Sequence, residues 1–213
     1  MGNLFLKDFF NLLNEFKRYP KYQYERRIDG FVGFFLPAVL KAKFTINVSK
    51  IIPEFPVKAH TESRWSNNID YMLFDKLNCS ITFVELKTDS GSVSEDQLIY
   101  YIKTLNTPWK DLKGHIEWIR EGSNQKDKYK FLLDQLKDIP ENVKMNAIYL
   151  APAKAHPSYK SRLESAYQKV GIEFEKERSR WEFLSLEEFA ATNVESQYQT
   201  EWQYLAAELE GEK

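Results

Sequence analysis

Ile69-Asp70-Tyr71-Met72-Leu73-Phe74-Asp75 is followed, after the polar turn Lys76-Leu77-Asn78-Cys79, by Ser80-Ile81-Thr82-Phe83-Val84-Glu85-Leu86-Lys87. Both runs are rich in the β-branched and aromatic residues that suit a pleated strand, and so short a turn makes an antiparallel hairpin the simplest connection. A turn centred between Leu77 and Asn78 sets Asp70 directly opposite Glu85. Opposed residues share a sheet face and side chains alternate along a strand, so Lys87 joins Asp70 and Glu85. Met72, Phe74, Ile81 and Phe83 make the rest of that face apolar, and Tyr71, Leu73, Val84 and Leu86 do the same for the other. A hairpin apolar on both faces belongs in the middle of a sheet covered on both sides.

Outward from the hairpin, residues 4–16 carry apolar side chains at helical spacing and stop before Tyr19-Pro20, and the apolar stretch 30–41 reads as a second, buried helix. Residues 44–48 and 55–59 read as strands preceding the hairpin. After it, Ser92 and Glu95 have capping-box spacing and open a helix through Leu105. Helices follow at 109–120 and 126–137, then a strand at 145–151 and a helix at 157–170 with Gly171 just past its end. Strands at 172–174 and 181–184 and a mostly helical stretch at 187–209 complete the chain. Helices, a strand cluster, then alternating helices and strands predict an α/β protein: a mixed β-sheet with helices on both faces, in a single domain over 1–213.

With 213 residues and 43% hydrophobic content there is ample material for one packed core. The one cysteine, Cys79, can close no internal disulfide, and the three histidines have no ligand spacing. No secretory signal or membrane span is read, and the cytoplasm is the expected compartment. A net charge of -1 gives no global field to attract a polyanion, so contact with nucleic acid must come from local patches. The best patch interleaves Lys17, Arg18, Lys21, Arg26 and Arg27 with Tyr19, Tyr22 and Tyr24: phosphate-binding cations among rings that stack on bases, or simply a solvated surface segment.

Two carboxylates opposed at the end of a buried hairpin repel each other unless a proton or a cation resolves the conflict. A hard divalent cation with oxygen ligands, Mg2+ or Mn2+, is the natural partner, since no His or Cys stands near to favour zinc. Lys87 is then a cation placed to hold water or a scissile phosphate oxygen. Glu-x-Lys alone is common by chance: Glu15-Phe16-Lys17 and Asp111-Leu112-Lys113 fit the same pattern but lie in predicted helices, where i and i+2 point apart. The bland reading of the trio is a cross-strand ion-pair cluster.

Asp70 followed by Glu85-Leu86-Lys87 resembles the core signature of the PD-(D/E)XK nuclease superfamily, and Gln97-Leu98-Ile99-Tyr100-Tyr101 resembles the Gln-x-x-x-Tyr element of its RecB-like branch. Asn68-Ile69 stands before Asp70 where the name motif has a proline, and the glycine of the RecB-like branch is not there. The resemblance implies a restriction-endonuclease-like core over about 4–151; residues 152–213 lie outside it, a C-terminal extension that forms a specificity lobe, a contact between two copies of the chain, or the far edge of the sheet. It implies that Asp70, Glu85 and the Leu86 carbonyl bind the metal, that Lys87 orients or deprotonates the attacking water, and that Gln97 steadies the site or touches phosphate. Glu25, with Glu15 behind it, is the candidate for a further acidic ligand from an early helix, and Tyr101, which shares a helix face with Gln97, is a candidate contact for nucleic acid. The expected function is metal-dependent hydrolysis of DNA phosphodiesters by in-line attack of water on phosphorus. The alternative is a nuclease-like fold kept as a non-catalytic binding or assembly module.

Overall fold

The hairpin forms with the expected register: in the computed structural model Tyr71 pairs with Val84, Met72 with Phe83 and Asp75 with Ser80. Residues 4–16, 25–58, 66–195 and 197–210 are described. The Asp75 carboxylate closes the turn by accepting bonds from the backbone and side chain of Asn78 and from the Asn47 backbone. Five strands make one mixed sheet: β1 (Val48–Lys58), β2 (Ser66–Asp75) and β3 (Ser80–Leu86) run antiparallel in sequence, and β4 (Lys144–Ala151) and β5 (Trp181–Ser185) add in parallel.

Helices cover both faces. On one side α3 (Glu95–Leu105), α4 (Trp109–Gly122), α5 (Lys126–Gln135) and α6 (His156–Val170) pack on Met72, Phe74, Ile81 and Phe83. On the other, α1 (Leu4–Phe16), α2 (Glu25–Phe44), α8 (Leu186–Ala190) and α9 (Gln199–Glu210) pack on Tyr71, Leu73, Val84 and Leu86; a single turn, α7 (Phe174–Glu177), precedes β5. The α/β class and the doubly covered hairpin are therefore as the alternation predicted. Trp109, Trp181 and Trp202 are core residues, and Lys58 lies over the Trp118 ring.

Several boundaries differ from expectation. Phe44 ends α2, which begins at Glu25 and runs through Gly30, Gly33 and Pro37. Gly33 is there for contact: a Cβ on it would stand 2.8 Å from Tyr71 Cε1, and the Tyr71 hydroxyl donates to the Asp29 carbonyl just above. The two short strands expected at 44–48 and 55–59 are one edge strand, β1, which tolerates Pro53 and Pro56 because an edge need not pair every N–H; Ala59 lies outside the described residues. Ser94 caps α3, its hydroxyl accepting from Gln97 N, while the Ser92 hydroxyl donates to the Asp89 carbonyl. Residues 172–174 form no strand, because Gly171, with φ 78, closes α6 and the chain turns into α7. The terminal helical stretch is split into α8, opened by a Ser185–Glu188 capping box, and α9. Residues 152–210 share the same sheet and both cores.

Candidate active site

The antiparallel ladder between β2 and β3 ends at Tyr71–Val84, one residue short of Asp70. There the side chain takes over from the backbone, and Asp70 Oδ2 accepts from Leu86 N at 2.7 Å. On β1, Pro53 pairs with Tyr71 and Phe55 with Ile69, so Glu54 stands opposite Asp70 at the same break, with φ 49, a left-handed value uncommon outside glycine. Ile52 and Phe55, three apart, both sit in one core, as do their partners Met72 and Ile69. The alternation of both strands slips at the Glu54–Asp70 step.

Glu85 lies on β3 between β2 and β4, opposite Tyr149, and only 1% of it is exposed. A buried carboxylate needs partners for its oxygens. Lys87 Nζ lies 2.5 Å from Oε1, the Gln97 amide donates to the same oxygen, and the Tyr101 hydroxyl donates to Oε2 at 2.5 Å. The helical i,i+4 spacing thus brings Gln97 and Tyr101 down together on Glu85. The Lys87 backbone is fixed by its N–H to the Leu150 carbonyl, so β4 holds the end of β3 in place.

Glu25 comes from the first turn of α2, where the helix dipole favours a negative charge. Its Oε1 is 3.8 Å from Lys87 Nζ, and the Thr88 backbone N–H donates to its carboxylate. Of the candidate ligands on early helices Glu25 is brought to the site; the side chain of Glu15 lies outside the described residues. Arg26 and Arg27 are exposed beside Glu25, while Lys17, Arg18 and Lys21, with the tyrosines among them, lie outside the described residues. Tyr101, expected at a nucleic-acid surface, is buried and its hydroxyl is engaged with Glu85, so it acts as a support for that carboxylate.

Electrostatics follow from crowding. Asp70 is pushed up to about 7, first by burial and then by the Glu85 charge, against the pull of Leu86 N–H and Lys87. Burial also raises Glu85 and Glu25, in spite of the opposing effect of Lys87. Burial alone would lower the Lys87 ammonium, but Glu85, Glu25 and Asp70 outweigh it and hold it above its ordinary value. Lys87 is therefore a fixed cation in this arrangement and suits orienting a group better than removing a proton from it.

Three carboxylates, Glu25, Asp70 and Glu85, face one ammonium. Among the described residues no three His, Cys, Asp or Glu side chains stand in a ready metal-binding arrangement. Lys87 lies within reach of both Glu85 and Glu25 and serves as their counter-ion. The donor chemistry nonetheless fits a hard cation: carboxylate oxygens, an excess of negative charge, and an aspartate whose ionisation is penalised by its neighbour.

Sequence reasoning missed two groups here. Glu54 is detectable only from the three-strand register, because it lies in a strand broken by prolines. Tyr149 is buried on β4, its hydroxyl has no hydrogen-bond partner among the described residues, and it lies within electrostatic reach of Glu85, Glu25 and Asp70. A hollow of about 720 Å³ lies away from this site, beside α4 and α5, lined by Lys110, Lys113 and His115. No family model matches this chain, and neither the curated proteins nor the solved structures contain a match to it. No helix among the described residues is long and apolar enough to cross a membrane.

Proposed function

We propose that this chain is a divalent-metal-dependent nuclease that hydrolyses DNA phosphodiesters, a member of the PD-(D/E)XK superfamily. The observation that carries the reading is the convergence of Asp70, Glu85, Lys87, Gln97 and Glu25, from two strands and two helices, on one point at the end of the buried hairpin. Glu25, Glu85, Lys87 and Gln97 meet within hydrogen-bonding or ion-pair distance, and Asp70 bonds the backbone N–H between Glu85 and Lys87, which a chance Glu-x-Lys would not arrange.

Asp70, Glu85 and the Leu86 carbonyl, with Glu25 on the far side of Lys87, are the groups that would hold Mg2+ or Mn2+, and a bound ion would supply positive charge where the scissile phosphate becomes pentacoordinate. Gln97 and Tyr101 keep the Glu85 carboxylate in one orientation. Lys87, kept protonated by its neighbours, binds the scissile phosphate or orients the incoming water. Arg26 and Arg27, exposed beside Glu25, take neighbouring backbone phosphates. A pair of chains is the arrangement we propose for cutting both strands, and the cytoplasm is the compartment we propose for a chain with a single cysteine.

A second reading, a non-catalytic nucleic-acid-binding or assembly module, is favoured by one observation: the Lys87–Glu85 pair already neutralises the most buried carboxylate. Incubation of the wild-type chain with plasmid, linear DNA, single-stranded DNA and RNA, in Mg2+, in Mn2+ and in chelator, separates the two. Cleavage of a DNA only with metal supports the nuclease. Binding of DNA with no cleavage in any metal supports the module.

A further inference from the structure

We infer that Lys87 competes with the divalent cation for Glu85, so that the resting site is neutralised by its own ammonium and binds metal weakly until that ammonium is drawn away. The inference rests on the metal-dependent reading above and concerns how its site is regulated.

Glu85 Oε1 receives both Lys87 Nζ, at 2.5 Å, and the Gln97 amide, and Oε2 receives the Tyr101 hydroxyl. A carboxylate offers about four lone-pair positions, and three are engaged. The same ammonium lies 3.8 Å from Glu25, so one positive group links the two carboxylates nearest to it. Asp70 has one oxygen committed to Leu86 N. The Lys87 side chain is only 12% exposed and the Glu85 side chain 2%, so solvent screens their attraction, or the repulsion of a second cation, very little. An ion binding Glu85 Oε1 at the usual distance of about 2.1 Å would lie against the ammonium.

The strand need not move to relieve this. Lys87 is anchored by its backbone bond to Leu150, whereas its four-carbon stem can change rotamer once its ion pair is broken. A phosphate of the bound polyanion is the natural receiver of the released ammonium. Cation and polyanion then favour each other's binding, since each is helped by the same displacement of Lys87. In the absence of polyanion the site stays closed to metal by its own lysine, which limits unproductive metal loading.

The test is Mn2+ binding, by titration calorimetry and by the paramagnetic resonance of free Mn2+, to wild type, Lys87→Met, Lys87→Gln and Glu85→Gln without nucleic acid. Folding of each variant is checked by circular dichroism. Both Lys87 variants are expected to bind Mn2+ at least about tenfold more tightly than wild type, as loss of one adjacent charge interaction implies, and Glu85→Gln more weakly than wild type. Lys87→Gln retains a neutral donor for Glu85 and serves if Lys87→Met does not fold. Unchanged or weaker affinity in the folded Lys87 variants overturns the competition, and if the wild type still cleaves with metal the nuclease reading survives it. Absence of Mn2+ binding in every form overturns both.

Discussion

Replacing Asp70 by asparagine should make the metal-free protein more stable at alkaline pH. The amide oxygen can still accept the Leu86 N–H that closes the end of the β2–β3 ladder, while the charge facing Glu85 is removed. Asp70 is held at about 7 in the folded chain against an ordinary 3.8. An acid raised on folding binds its proton more tightly in the native state, so stability falls as pH rises between those two values. The full difference corresponds to about 4 kcal/mol above pH 7, and a carboxylate that keeps some hydration should show about 2–4 kcal/mol. Urea unfolding in chelator, from pH 4.5 to 8.5, measures it. The advantage of Asp70→Asn should be largest at pH 8 and shrink towards zero near pH 4, where Asp70 is neutral in the native state and becoming neutral in the unfolded one. A variant less stable than wild type at pH 8, or an advantage independent of pH, would refute the reasoning.

Tyr101→Phe removes the donor to Glu85 Oε2, and the exposed deficit of a buried carboxylate should cost about 1–3 kcal/mol in urea unfolding at pH 8. Tyr149→Phe removes a buried hydroxyl that has no partner among the described residues, so folding stability in chelator should stay within about 1 kcal/mol of wild type or rise; a loss of about 2 kcal/mol or more would mean that the hydroxyl is bonded in the folded chain. Gly33→Ala drives a methyl into the buried Tyr71 ring, which is held by its bond to Asp29, and should destabilise by about 1–3 kcal/mol, partly restored by Tyr71→Phe. Thermal or urea denaturation of the single and double variants checks it.

The hairpin was readable because its two strands are apolar on both faces and its turn is short, so one register satisfies both cores; that same register carried Asp70, Glu85 and Lys87 to one end. Gln97 and Tyr101 were readable from helix period alone. What could not be read was the fine structure at the break. The alternation fails where Glu54 takes a left-handed conformation opposite Asp70, and nothing local in Pro53-Glu54-Phe55 announces that. β1 was divided in two because its prolines suggest a break in any strand except an edge, and edge position is a property of the assembled sheet. The start of α3 was misplaced because Ser92 and Ser94 both offer a hydroxyl, and only the chain path, with Ser92 bonded to Asp89, decides between them. Tyr149 escaped notice since a tyrosine in an apolar strand is ordinary core until its unpaired hydroxyl and its place opposite Glu85 are seen together.

Nicking and linearisation of supercoiled plasmid in Mg2+ by wild type and Glu85→Gln tests the central claim most directly. The substitution keeps the shape of the side chain while removing its charge and one of its two acceptor oxygens, so the fold of the variant is checked by circular dichroism. The account predicts metal-dependent cleavage by wild type, abolished by chelator, and a loss of at least about 100-fold in Glu85→Gln with its fold intact. Equal cleavage by the two proteins, or cleavage by wild type in chelator, would contradict it.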